Sequence, residues 1–171
     1  MPDFLSLILF LLPVYVANGI PVLLGGGARL DLGRDLPDGK PLFGEGKTIR
    51  GFIVGVAGGS VAAGIMALFF PLAWFAVPAL QFWGGAAMAL GTMTGDAFGS
   101  FVKRRLGMES GRPFILDTML FLAFALAFAA GFAEPSLYSL QNLIFMFGLT
   151  IVLHPATNFI ANRLGLKRVP W

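Results

Sequence analysis

The sequence has 171 residues, 57% hydrophobic and only 12% charged, with a net charge of +3. A soluble domain of this length carries about twice that charged fraction, and stretches that are apolar on all sides belong in lipid or in the core of a far larger protein. With no cysteine and a single histidine, His154, the chain has no disulfide, thiolate metal site, cysteine nucleophile or multi-histidine metal centre.

Five stretches reach the roughly 20 apolar residues needed to cross about 30 Å of hydrocarbon. They are 4–24, 51–70, 72–94, 114–132 and 137–161. They predict an all-α integral membrane protein of five transmembrane helices, a single transmembrane domain over 1–171. The first stretch follows Asp3, where a signal peptide would carry basic residues, and no small-x-small cleavage site follows it. It reads as a retained span. In the second, Gly51, Gly55 and Gly59 recur every four residues, a spacing that lets helix backbones approach closely in lipid. The second and third are separated by little more than Pro71, which predicts a tight turn.

Five spans leave 25–50, 95–113 and 162–171 on one side of the membrane. These segments hold all 12 Lys and Arg residues, while the opposite side holds only Asp3 and Glu134 among charged residues. The positive-inside rule then predicts an N-terminus outside, a cytoplasmic C-terminus, cytoplasmic loops at 25–50 and 95–113 and a cytoplasmic tail at 162–171.

The polar residues of the spans collect toward the cytoplasmic side. Asn18 and Pro21 lie near that end of the first span, Asp96 at the end of the third, and Asp117 in the first turns of the fourth. His154, Pro155, Thr157 and Asn158 lie near the end of the fifth. The outer halves are almost wholly apolar, apart from residues such as Gln81, Gln141 and Asn142. A lone interfacial aspartate costs little, but polar groups converging from four spans predict a cavity in the cytoplasmic leaflet. Pro21 and Pro155 free backbone carbonyls at membrane depth, which is tolerated where a polar cavity is lined. Such a site suits a substrate whose tails stay in the bilayer and whose head meets water-soluble chemistry.

The first loop contains DGKPLFGEGKTIRG at 38–51. Its glycines, Gly44 among them, let backbone N–H groups face an anion. Lys40, Lys47, Thr48 and Arg50 supply phosphate-binding side chains. Gly46-Lys47-Thr48 resembles the end of a P-loop, but Pro41 stands where that motif needs glycine, and a membrane helix precedes it instead of a strand. Phosphate binding is kept and the P-loop rejected. In the second segment, 95–117, Asp96, Ser100 and Lys103 would share one face if the third helix continues past Asp96. Mg²⁺ is usually held by one or two carboxylates plus substrate phosphates, and Asp96 and Asp117 are the candidate pair. In a symmetric hairpin turning near Glu109 the two would be offset by about 7–8 Å.

Gly95-Asp96, Ser100, Lys103-Arg104, Gly111 and Asp117 resemble the signature of the CTP-dependent phosphatidate cytidylyltransferases. Together with 38–51 and the short five-span length, they are similar to its archaeal branch, the CDP-archaeol synthases. The resemblance covers essentially the whole chain. Two positions differ from the larger bacterial and eukaryotic enzymes: Leu120 stands where those carry a second aspartate, and Met108-Glu109 lies near the place of a lysine-aspartate pair.

The resemblance implies Mg²⁺-dependent transfer of CMP from CTP to the phosphate of an isoprenoid ether glycerol phosphate, with pyrophosphate released. It implies a multi-pass cell-membrane enzyme with its active site at the cytoplasmic face. Asp96, Lys103 and Asp117 would be catalytic, with Asp96 and Asp117 holding the metal. Lys40, Gly44, Lys47, Thr48 and Arg50 would bind the triphosphate. Ser100, Lys103 and Arg104 would take the remaining phosphates, and Asn18 the cytosine or ribose. Arg105, Arg163, Lys167 and Arg168 would face anionic headgroups, and His154 would pack or hydrogen-bond. The implied partners are CTP, a lipid phosphate from the bilayer and membrane lipids, with no nucleic acid; the oligomeric state stays open, a homodimer included. Two other readings compete. A CTP-dependent polyprenol or lipid kinase would release CDP and need a base. A small transporter subunit would place polar groups near the midplane and often show an internal repeat.

Overall fold

The computed structural model of the chain describes residues 3–108 and 115–167. Glu109, Gly111, Arg112 and Arg168 lie outside the described residues. The fold is all-α, with five α-helices and no β-strand among the described residues: α1 (Phe4–Leu24), α2 (Ile49–Phe69), α3 (Pro78–Arg105), α4 (Ile115–Ala129) and α5 (Leu140–Arg163), with a 3₁₀ turn at Pro135–Tyr138 before α5.

Local chemistry sets the ends. The Asp3 carboxylate caps α1 by accepting from the Leu5 N–H at 3.2 Å and from the Ser6 hydroxyl. Thr48 caps α2, its Oγ1 accepting from the Gly51 N–H at 3.0 Å and the Gly26 N–H at 3.3 Å. One hydroxyl thus ties both ends of the first loop. Pro78 opens α3 at a position where its missing N–H leaves no bond unmade.

α3 differs most from its expected bounds. It starts six residues after position 72, because 70–77 forms an eight-residue connection and not a tight turn at Pro71. It then runs to Arg105, so 95–105 is helical and not a loop. Lys103, Arg104 and Arg105 in its last turn suit the negative end of the helix dipole.

By length and composition, α1, α2 and α5 are apolar enough to cross a membrane, and α4 is a shorter apolar helix. α3 is not among them. It packs against α1, α2 and α4, and a helix sheathed by other helices need not be greasy toward lipid.

Lipid provides no hydrophobic drive between helices, so close backbone approach holds them together. A Cβ at Gly55 would stand 2.9 Å from the Ala17 carbonyl oxygen, and one at Gly59 2.5 Å from Ala89 Cβ. The glycines of α2 therefore seat it between α1 and α3. A second row, Gly91, Gly95 and Gly99 of α3, receives α4. At Gly95 a Cβ would lie 2.6 Å from the Leu120 carbonyl oxygen and 2.7 Å from Phe121 Cα.

The apolar core gathers toward one end of the bundle, around Leu7, Phe10, Leu11, Phe75, Met88, Leu122, Leu126 and Met146. The other end, built from the C-terminal parts of α1, α3 and α5, the start of α4 and the first loop, is hollow. α5 is the outermost helix. It buries Asn142, Met146, Thr150 and Asn158 along one stripe. Two polar contacts tie it to α1: Tyr15 Oη to Thr150 Oγ1 at 3.0 Å, and Asn18 Nδ2 to His154 Nδ1 at 3.2 Å. Thr150 donates its own proton to the Met146 carbonyl at 2.7 Å, so Tyr15 is the donor in the first.

Candidate active site

The hollow end encloses a cavity of about 820 Å³ lined from all five helices and the first loop. Its floor depends on an ordered loop. Asp31, 4% exposed, accepts from the Gly33 N–H at 3.0 Å, the Phe43 N–H at 3.0 Å and the Gly44 N–H at 2.9 Å. Burial alone pushes the Asp31 carboxyl up, but the three N–H donors and the nearby Arg29 charge outweigh it and hold it below its ordinary value. This knot fixes the turn that delivers Lys47 and Thr48.

A second attachment fastens the loop to the end of α3. Arg105 Nη1 donates to both Asp38 carboxylate oxygens at 2.5 Å. Its Nη2 donates to the Lys40 carbonyl at 3.0 Å and the Pro41 carbonyl at 2.6 Å. Lys40 Nζ returns a bond to the Arg105 carbonyl at 3.0 Å. Beneath this clamp, Arg104 lies across Gly44, its Cδ 3.6 Å from where a Cβ would stand. Arg104 Nε is buried with no hydrogen-bond partner among the described residues.

Two ion pairs cross the cavity wall. Lys47 Nζ donates to Asp96 Oδ2 at 2.6 Å, joining loop to α3. Lys103 Nζ donates to Asp117 Oδ2 at 2.5 Å, joining α3 to α4. Asp117 Oδ1 packs 2.9 Å from the Cβ position of Gly99. Asp117 is therefore level with a residue three beyond Asp96, an axial offset of about 4.5 Å at 1.5 Å per residue. The glycine row brings the two carboxylates closer in height than the symmetric hairpin does.

Eight of the expected site residues line the cavity: Asn18, Lys47, Thr48, Asp96, Ser100, Lys103, Arg104 and Asp117. Lys40, Gly44 and Arg50 do not. Lys40 is held by the α3 terminus, Gly44 is buried beneath Arg104, and Arg50 is exposed on α2. Arg105 is not turned to headgroups but engaged in the clamp, whereas Arg163 stacks over the Phe159 ring at 5.0 Å. Lys167, assigned to headgroups from the sequence, lines the cavity.

His154 stands between two carboxamides, with Asn158 Nδ2 3.1 Å from its Nε2 and Asn18 on its Nδ1 side. Neutral imidazole accepts at only one nitrogen, so one carboxamide turns its oxygen to the ring. The ring serves as a hydrogen-bonding bridge between α1 and α5. Asp31 was missed as a structural residue because its three donors come from 33, 43 and 44, a closure no local pattern announces.

Four cationic side chains (Lys47, Lys103, Arg104, Lys167) and three carboxylates (Glu45, Asp96, Asp117) line this cavity. The N-terminus of α2, with Lys47 and Thr48 beside it, opens on the same space. The arrangement has the chemistry to bind polyanions, and no nucleophile–base pair lines it among the described residues.

Comparison with known proteins places this architecture. A family model described as CarS-like, CDP-archaeol synthase, matches residues 3–171. CDP-archaeol synthase of Methanococcus aeolicus is 40% identical over 170 residues, covering 95% of this chain and 94% of that protein. CDP-archaeol synthase of Aeropyrum pernix is 41% identical over 172 residues, covering 99% and 93%. A solved structure, described as that of an intramembrane enzyme for archaeal membrane lipids biosynthesis, matches with a TM-score of 0.81 at 38% identity, over 91% of this chain and 94% of that one. With its motifs, its helical bundle and its full-length relatives in agreement, the chain belongs to the CDP-archaeol synthase family.

Proposed function

We propose that this protein transfers CMP from CTP to the phosphate of an isoprenoid ether glycerol phosphate. The products are a CDP-archaeol-type lipid and pyrophosphate, and the site faces the cytoplasm. The observation that carries this reading is the pair of lysine-held carboxylates, Asp96 and Asp117, lining one cation-rich cavity. The orientation follows from the basic residues gathered at the hollow end.

In this reaction an oxygen of the lipid phosphate bonds to the α-phosphorus of CTP, and the bond from that phosphorus to the bridging oxygen of pyrophosphate breaks. The attacking oxygen is already ionised, so no base is needed. The barrier is repulsion between anions and charge growing on pyrophosphate, which positioning and fixed positive charge lower. Lys47, the Thr48 hydroxyl and the α2 N-terminus hold the triphosphate; Lys103, Arg104 and Ser100 hold phosphate oxygens nearer α3. Asn18 faces the nucleoside. Lys40 and Arg50 take no part in this wall, and Gly44 acts by giving Arg104 a flat surface.

The residues fit a divalent cation. Asp117 Oδ1 is buried and accepts no hydrogen bond among the described residues, an anionic oxygen suited to a hard ion. No group of three or more His, Asp or Glu converges among the described residues, so Asp96 and Asp117 would hold Mg²⁺ with substrate phosphates completing its shell. When bound, the ion neutralises and orients those phosphates. A CTP-dependent lipid kinase would release CDP and would need a carboxylate to take an alcohol proton, a role that falls to Asp117 through its unengaged Oδ1.

The test is purified protein with CTP, Mg²⁺ and digeranylgeranylglyceryl phosphate, with pyrophosphate and CDP followed separately. Lipid- and Mg²⁺-dependent pyrophosphate release that disappears in Asp96→Asn is expected. CDP release instead would replace this reading with the kinase.

A further inference from the structure

The end of α5 does not run straight on along its axis. Gly165 sits at φ +72°, a conformation L side chains rarely adopt. Its N–H donates to the Asn162 carbonyl at 2.9 Å, and the Leu166 N–H to the Ala161 carbonyl at 2.9 Å. Asn162 Nδ2 then donates to the Lys167 carbonyl at 2.9 Å, pinning the returned segment. This reversal puts Leu166 and Lys167 into the wall of the cavity.

The wall they join differs from the one built by the loop and α3. Lys47 and Lys103 hold the carboxylates there, and Arg104 lies across Gly44. Toward α5 and the end of α1 the lining includes the apolar Val22, Ile151, Pro155 and Leu166, beside the polar Asn18, His154 and Asn158. Val22, Ile151 and Leu166 are 37%, 40% and 46% exposed. This apolar stretch is therefore open and not packed away, and Val22 and Ile151 belong to two helices joined by the Tyr15–Thr150 and Asn18–His154 contacts. A molecule with an anionic head and hydrocarbon tails needs this combination: a cation inside and an apolar edge continuous with lipid.

We propose that Lys167 is the cation that receives the phosphate of the lipid substrate, while the tails lie along Val22, Ile151 and Leu166. This rests on the CMP-transfer reading and names which side chain serves the acceptor. Burial holds the Lys167 ammonium below its ordinary value; Lys47 adds to this, Asp96 opposes it, Lys103 adds and Asp117 opposes. An arriving phosphate favours the charged form.

The test uses full-length protein in lipid nanodiscs, with pyrophosphate release measured against CTP and against a short-chain dialkylglycerol phosphate. Lys167→Met is expected to raise KM for the lipid phosphate at least about tenfold, the loss of one charge-assisted bond, and to leave KM for CTP within about twofold. Lys167→Arg should recover most of the loss. Gly165→Val, which forbids the reversal, should reproduce Lys167→Met. Arg163→Met, removing a charge on the same tail outside the cavity, should change neither KM. An unchanged lipid KM in Lys167→Met, or a rise confined to CTP, overturns the proposal. If the wild type releases no pyrophosphate, the CMP-transfer reading fails by itself. Calorimetric binding of the dialkylglycerol phosphate then decides Lys167 alone: weaker binding to Lys167→Met supports it, and equal binding overturns it.

Discussion

Asp117 rests its Oδ1 against Gly99 while its Oδ2 accepts from Lys103 one helical turn further along α3. One side chain thus reports both the spacing of α3 and α4 and the charge balance of the cavity. Gly99→Ala places a methyl group within 2.9 Å of that oxygen. The carboxylate must move, and kcat/KM should fall at least about tenfold, with a loss of about 1–3 kcal/mol in stability. Steady-state kinetics and thermal unfolding in detergent check this.

Gly95→Ala should be worse for folding, since backbone and not a side chain stands in the way. A drop in midpoint of several degrees is expected. Gly148→Ala in α5, with nothing within 4 Å, should leave it unchanged or slightly higher because alanine is the better helix former. Equal behaviour of the two variants would show that the α3–α4 contact is not close.

The Lys47–Asp96 pair should act as a unit. Asp96→Asn and Lys47→Met should each lower kcat/KM about 100-fold or more. The double variant should be far less damaged than the product of the two. Independent, multiplying losses would mean that the pair is incidental.

Arg105→Met removes the Asp38 ion pair and both carbonyl bonds at once. Since Arg105 is outside the cavity wall, the expected signature is indirect: faster proteolysis within 34–42 and a several-fold rise in KM for CTP. Arg105→Lys should rescue only part, as an ammonium cannot reproduce the planar fork. Limited proteolysis beside kinetics separates this from a direct role.

Asp31 gives a pH dependence. Its folded-state pKa is depressed, so its stabilising effect is complete above its ordinary value, 3.8, and is lost as pH falls through the folded value. Asp31→Asn should therefore lose loop protection at neutral pH, by about 1–3 kcal/mol for the unmet donors. The gap to wild type should begin to narrow as pH falls below 3.8 and should close only as pH passes the lower folded value. Proteolytic protection of the loop from pH 3 to 7 measures it.

The helix α1 coincides with the stretch 4–24 read from hydropathy, because the Asp3 cap and the glycines after Leu24 bracket a run broken only by residues such as Ser6 and Asn18. Hydropathy misplaced α3, whose polar and glycine-rich end looks like a loop to any lipid-based measure. Only the shared face of Asp96, Ser100 and Lys103 hinted that the helix continued. The charged residues of the cavity wall were legible as a group. Lys40 and Arg105 were misread because their partners are each other's backbone across 65 residues. Lys167 was misread because a C-terminal basic residue ordinarily meets headgroups. The Leu164-Gly165 step after α5 was the available sign of a reversal.

The length of α3 has a consequence for where chemistry happens. Twenty-eight residues span about 42 Å, some 12 Å more than the hydrocarbon of a typical bilayer. The surplus works as a depth gauge that sets the height of the reacting phosphates relative to the lipid surface. Removing seven residues before Asp96, about two turns, would keep the side chains within about 20° of their faces yet draw the carboxylates about 10 Å toward the hydrocarbon, out of reach of a dissolved nucleotide.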